Sequence, residues 1–239
     1  MFKVDPGLNP HELAPVFRRF GRMHIPGILD APSAQRLGQG LLTAQGWSRA
    51  VHVDEGRDVD FADFDEATDE ERAAVEAATY AAARDEFRYM FDTIRLSEPP
   101  EGAPPVDPLL EAAAAFLRGP EFLAFIRALT GDERPVYADA MATRYLPGHF
   151  LTAHDDRADH LDRLYAYVLN LTPRWRADWG GVLLFLDEED HVEEGYVPVF
   201  NSLNIFRVPQ RHAVSLVAPF AGGPRLAITG WIRARPPQD

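Results

Sequence analysis

From Val136 onward the chain breaks into short runs rich in β-branched and aromatic residues, each ended by turn-forming residues. This pattern narrows the fold more than any other feature, because short punctuated runs build antiparallel sandwiches or barrels. Strands are predicted near 137–145, 149–155, 164–171, 181–186, 192–200, 203–208, 212–217 and 225–233, enough for a jelly-roll barrel. The preceding part reads as mainly helical. A short strand over 23–29, broken at Pro26 and Gly27, leads to a helix capped by Asp30 or Ser33, and 47–53 reads as a second strand. Thr68 to Glu71 forms a capping box opening a helix expected to run to about Ile94, with Val75, Phe87, Met90, Phe91 and Ile94 as its apolar face. Two more helices start at Pro108 and Pro120, and Gly131 stops the second. The fold class is α+β: a helical part over 1–135, with one or two strands, bracing a barrel over 136–235 in a single structural domain.

With 46% hydrophobic and 26% charged residues among 239, the chain has the balance of a soluble globular protein. No stretch reaches the ~20 consecutive apolar residues a membrane helix needs, and no secretory signal is visible, so the cytoplasm is the expected compartment. A formal charge of −13 argues against a nucleic-acid partner, since phosphate neutralisation needs clustered Lys and Arg. The acidic stretch 53–72 reads as a solvated loop and helix start that could attract a basic partner. There are no cysteines. Any metal must therefore sit on His, Asp and Glu.

Such residues gather in "FLTAHDD", 150–156. Strand alternation sends His154 and Asp156 to one face and Asp155 to the other. One imidazole and one carboxylate hold two corners of a coordination sphere, so a third ligand must come from elsewhere. Of the remaining histidines, His212 fits best, because it opens the strand "HAVSLV" after a turn and far enough along for the chain to cross the barrel and return. Two histidines and a carboxylate leave three positions open, the arrangement of non-haem Fe(II) oxygenases. 2-Oxoglutarate can chelate two of those positions, and its far carboxylate then needs a cation. Arg225, at the start of what is expected to be the adjacent antiparallel strand, can grip it bidentately, and Thr229, on the same face, can add a hydroxyl donor.

"RYLPGHFLTAHDD", "LYAYVLNLTPRWRADWGGVLLFL", "PVFNSLNIFRV" and "RHAVSLVAPFAGGPRLAITGWI" together resemble, in order and spacing over about 136–233, the iron- and 2-oxoglutarate-dependent oxygenases of the prolyl 4-hydroxylase superfamily, and within it the ribosomal-protein prolyl hydroxylase type. The resemblance implies a double-stranded β-helix in which His154, Asp156 and His212 bind iron and Arg225 anchors 2-oxoglutarate. It also implies cosubstrate contacts from Tyr145 and Thr229, with ascorbate as an optional reductant. Asn170 stands where relatives commonly carry a tyrosine that helps hold the distal carboxylate, so its contact is expected to be weaker or water-mediated. His149 replaces an Asp common in relatives, a departure that bears on substrate preference.

The implied activity is hydroxylation of an unactivated C–H, of a prolyl residue in a protein or peptide (basic, if the acidic stretch takes part) or of a free amino acid or other small molecule. A cupin-like barrel that binds metal without turnover is the reading from another class. Oligomeric state stays open. Asp155 reads as a turn cap or a partner of Arg157, and Asp159 and His160 as a polar loop beside the site. His191 reads as part of an acidic hairpin turn, and His11, His24 and His52 as structural or surface residues. Trp175, Trp179 and Trp231 read as packing. Gly180 and Gly181 mark a close backbone approach or a bulge at a strand start.

Overall fold

The computed structural model describes residues 1–54, 57–61, 67–99, 102–103, 105–158 and 161–237, with the backbone alone for 53–54 and 57–61. Asp159, His160 and residues 55–56 and 62–66 of the acidic stretch lie outside the described residues. Among the described residues, five α-helices precede the strands that follow Val136: α1 (Pro10–Phe20), α2 (Ala31–Thr43), α3 (Asp69–Ala82), α4 (Pro108–Leu117) and α5 (Pro120–Thr130). Their ends follow local chemistry. Asp30, not Ser33, caps α2 by accepting the Ser33 N–H, and Thr68 and Glu71 exchange the reciprocal bonds of a capping box. Pro108 and Pro120 open α4 and α5, and Gly131 closes α5 at φ 68°. The helix α1 carries no counterpart in the sequence reading, although Asn9 caps it and Gly21 ends it.

The first strands are β1 (Arg22–Pro26), β2 (Ser48–Asp54), β3 (Arg57–Phe61) and β4 (Tyr89–Arg95). Here the sequence reading is corrected: α3 stops at Ala82, and Met90, Phe91 and Ile94 lie on β4 instead of a helix face. Phe87, Met90, Phe91 and Ile94 do fall at helical spacing, yet β4 is apolar on both sides because it is buried on both, paired to β2 on one edge. Burial on two faces erases the alternation by which a strand is recognised.

The remaining strands are β5 (Tyr137–Ala138), β6 (Met141–Tyr145), β7 (Phe150–His154), β8 (Arg163–Asn170), β9 (Leu183–Leu186), β10 (Val192–Tyr196), β11 (Ser202–Arg207), β12 (His212–Val214) and β13 (Arg225–Arg233). The sheet runs β1-β11-β8-β13-β6-β4-β7-β12-β9-β10. From β6 to β13, successive strands fall alternately on the β11-β8-β13-β6 side and the β7-β12-β9-β10 side, except that β9 and β10 pair with each other on the latter. That alternation is the double-stranded β-helix. The strands at the two ends are bridged by side chains, Arg22 on β1 reaching Glu193 at 3.0 Å and Glu194 at 2.7 Å on β10.

Alternation along β8 separates two cores. Tyr165, Tyr167 and Leu169 face outward and join Phe17, Leu37, Leu110, Phe122 and Ile126 of the helices, while Ala166 and Val168 face inward with Leu183, Phe185, Phe206 and Ala227. The helices thus cover one sheet and leave the barrel interior to the site. Among the described residues, no helix is long and apolar enough to cross a membrane.

His149 is buried behind the barrel wall, and its pKa is pushed down to about 4 by burial first and then by the charge of Arg49. An unfolded chain takes up this proton near the ordinary value of 6.5, so the folded protein loses stability as pH falls from 6.5 toward 4. The loss expected is on the order of 2–3 kcal/mol. His149→Leu should flatten the acid limb of urea-midpoint against pH between 7 and 4.5, and parallel curves for variant and parent would refute this.

Candidate metal and 2-oxoglutarate site

Strand β12 lies between β7 and β9, and its register sets His212 directly opposite His154 with ring centroids 4.1 Å apart. Each imidazole is fixed by its own strand end. His154 Nδ1 lies 3.0 Å from the Thr152 carbonyl and His212 Nδ1 lies 2.7 Å from the Gln210 carbonyl. A carbonyl only accepts, so both rings donate from Nδ1 and leave Nε2 as a lone-pair donor.

Those two Nε2 atoms face Asp156, from His154 to Oδ1 at 3.4 Å and from His212 to Oδ2 at 3.4 Å. Alternation along the strand is not what aims the carboxylate. β7 ends at His154, and Asp156 turns back in the left-handed region at φ 62°. Asp155 behaves as expected, accepting the Arg157 N–H at 3.0 Å.

The electrostatics favour a cation among these atoms. Burial alone would raise the pKa of Asp156, but the neighbouring His154 and His212 rings hold it down to about 2. His212 is 4% exposed. Burial, then the charge of His154, push its pKa down to about 4. At neutral pH a carboxylate and a bare imidazole nitrogen then face each other with no shared proton, which is repulsive unless a metal ion sits between them. Bonds of about 2.1 Å at right angles place donors roughly 3 Å apart, close to the spacing seen. Asp187, Glu189 and His191 also cluster, but Asp187 is engaged by the Glu189 and His191 N–H groups in an exposed turn.

The His–Asp–His cluster opens into a cavity of about 470 Å³ that also holds Tyr145, Arg163, Arg225, Thr229 and Trp231. Trp231 packs against the inner core, as read from sequence, and also lines the cavity, and Trp175 and Trp179 pack edge to face at 5.3 Å. His52, expected to be structural or at the surface, packs at a tilt against Phe87 and Tyr89, which line the same cavity. A second, polar hollow of about 620 Å³ is lined by Asp132, Arg134, Tyr165 and Arg207, and Arg163 borders both.

Arg225 does not sit on a strand beside His212. β13 pairs with β5, β6 and β8, so the guanidinium reaches the cavity from the opposite sheet. It is 2% exposed, its Nε has no hydrogen-bond partner, and its nearest polar companion is Tyr145, whose ring lies 4.9 Å from Cζ. Among the described residues no carboxylate pairs with it. Gly181 makes room for it, and Gly180 allows the backbone to pass close to Leu216, both at positive φ. A Cβ on Gly181 would lie 3.0 Å from Arg225 Cδ, and one on Gly180 would strike the Leu216 carbonyl.

Tyr145 stacks on Phe91 at 5.1 Å, and burial first pushes its pKa up to about 12. Thr229 shares the inward face of β13 with Arg225, Ala227 and Trp231. Asn170 is fully buried, donates Nδ2 to Ser202 Oγ at 3.1 Å, and is not among the cavity residues. His149 is likewise outside the lining.

The model of the 2OG-Fe(II) oxygenase superfamily matches residues 140–233, the stretch that carries all three ligand candidates and Arg225. Over this stretch the chain is similar to the 2OG-Fe(II) oxygenases. The resemblance to the prolyl 4-hydroxylase superfamily is borne out. Prolyl 3-hydroxylase OGFOD1 of Mus musculus is 30% identical over 118 residues, 46% of this chain and 21% of that protein, so the chain spans about a fifth of that relative's length. A 2OG-Fe(II) oxygenase family oxidoreductase from Burkholderia pseudomallei superposes with a TM-score of 0.62 at 14% identity, covering 98% of this chain and 94% of its own. A prolyl hydroxylase from Trichoplax adhaerens, solved with a hypoxia inducible factor oxygen degradation domain peptide fragment, gives 0.59 at 15% identity, covering 94% and 89%. At such identities the likeness is one of fold. Fe(II) and 2-oxoglutarate are the groups this family uses, and the donor set fits them: two lone-pair nitrogens and a carboxylate for the metal, and a buried cation without a counterion for the keto diacid.

Proposed function

We propose that this chain is an Fe(II)- and 2-oxoglutarate-dependent dioxygenase that hydroxylates an unactivated C–H, of a prolyl residue in a protein or peptide. His154, Asp156 and His212 hold the metal. Arg225, with the Tyr145 ring beneath it and the Thr229 hydroxyl on the same face, seats the far carboxylate of 2-oxoglutarate. Asn170, outside the lining, would act on that seat only through Ser202 or water. Bound together, the metal and cosubstrate supply the oxidation: O2 is split, one oxygen going to succinate as CO2 leaves and the other to the substrate hydroxyl.

The observation that carries this reading is that Arg225 is buried with no carboxylate paired to it among the described residues. An isolated charge removed from water costs several kcal/mol. A barrel that only stored metal would have no use for that expense, whereas a dicarboxylate makes it good on binding.

An apolar substrate group suits the cavity wall. Phe87, Tyr89 and Phe91 follow one another at 5.8 and 5.3 Å between centroids, Tyr145 continues the row, and Phe87 also meets the His154 ring at 5.3 Å. Phe87 is 37% exposed, so the row of rings runs from the mouth to the anchor. It excludes water and can hold a saturated ring by its C–H faces.

The test is mass spectrometry of proline peptides and free amino acids incubated with enzyme, Fe(II), O2 and 2-oxoglutarate. A one-oxygen adduct on a peptide matched by equal succinate is the result expected. Adducts confined to free amino acids would move the substrate class, and absence of succinate under every condition would remove the enzyme assignment.

A further inference from the structure

We infer that Arg163 is a positioning residue that holds Asp156 in the left-handed turn from which it reaches both histidines; this rests on the metal site proposed above. Asp156 is not glycine, and φ 62° carries a steric cost that neighbouring contacts must cover. Arg163 supplies such a contact, donating Nη1–H to the Asp156 carbonyl at 3.1 Å. Its guanidinium in turn lies over the Trp231 ring with Cζ 3.6 Å from the centroid.

Neither placement follows from regular alternation. The β8–β13 register runs from Ile232 opposite Tyr165 to Arg233 opposite Arg163, so Leu164 is an extra residue in β8. A bulge at this point brings Arg163, which regular pairing would send outward with Tyr165, onto the cavity side with Trp231 and Asp156. The bulge, the stacked ring and the capped carbonyl thus form one continuous support for a metal-binding carboxylate, the kind of outer contact that orients ligands.

Charge and position make opposite demands here, which allows a clean test. A guanidinium near a dication repels it, so if charge were the dominant effect, Arg163→Gln would bind metal more tightly. If position dominates, the same change weakens binding by about 10- to 100-fold.

Mn(II) affinity of the metal-free protein is measured by calorimetry for the parent, Arg163→Gln and Arg163→Lys, alongside thermal unfolding without metal. Weaker Mn(II) binding in both variants, with little change in the metal-free Tm, is expected, since lysine keeps the charge but loses the flat stacked fork. Trp231→Ala should weaken binding as well, and Trp231→Phe, which restores a ring to stack on, should recover it; this pair serves if the Arg163 variants do not fold. Unchanged or tighter Mn(II) binding in Arg163→Gln, or loss in Trp231→Phe equal to that in Trp231→Ala, would overturn the assignment while leaving the metal site standing. A parent protein that binds no divalent metal would overturn both.

Discussion

Arg225→Leu is expected to weaken 2-oxoglutarate binding by about 30-fold to several thousand-fold, the ~2–5 kcal/mol typical of removing one partner from a buried charge pair. The metal should stay. His154, Asp156 and His212 lie on or beside β7 and β12, whereas Arg225 comes from β13 on the opposite sheet, so Mn(II) affinity should hold within a few-fold. Leucine also removes a guanidinium that is 2% exposed with no carboxylate beside it among the described residues, and the ligand-free variant should be as stable as the parent or more stable by about 1–4 kcal/mol. The two effects cross. In excess 2-oxoglutarate the parent gains stability from ligand occupancy and the variant does not. Titration of 2-oxoglutarate in the presence of Mn(II), followed by thermal unfolding with and without it, reads both. Equal affinity in parent and variant would show that the diacid is anchored elsewhere.

Asp156→Asn is expected to lower divalent-metal affinity by about 10²- to 10³-fold, again from the cost of deleting one member of a buried charge pair. Asparagine has the size of the native side chain and tolerates positive φ, so the turn at φ 62° should survive and only the negative charge is lost. A change to leucine would confound charge with backbone strain. In the parent, Asp156 is ionised far below neutral pH, and metal addition should raise Tm by mass action. In the variant the metal-dependent rise should vanish at the same concentrations while the metal-free Tm stays close to the parent's. A variant that still gains stability from Mn(II) would mean the ion is held without Asp156.

The ligand residues were legible because their chemistry leaves few choices. With no cysteine in the chain, an HxD at a strand end and one later histidine at a strand start are a short list, and Arg225 follows from the need for a cation opposite a diacid. Arg163 is not legible in the sequence for a physical reason. Its place depends on an extra residue at Leu164 and on an aromatic ring donated by β13, and nothing near it in the chain signals either. The row Phe87, Tyr89 and Phe91 was read as part of a helix because its period was masked by burial on both faces. His149, whose departure from an Asp bears on substrate preference, is buried and does not line the cavity.

By itself the sequence determined where helices begin and end, through caps and prolines acting within a turn or two, and that a jelly-roll of short strands follows Val136. Those are local effects, settled by neighbours a few residues apart. Only the tertiary structure decided that Arg225 faces the metal ligands from the other sheet, that Asp156 reaches them through a left-handed turn, and that a bulge swings Arg163 to its support. Each of these depends on strand register and sheet partner, which are set by packing across the barrel between residues far apart in the chain.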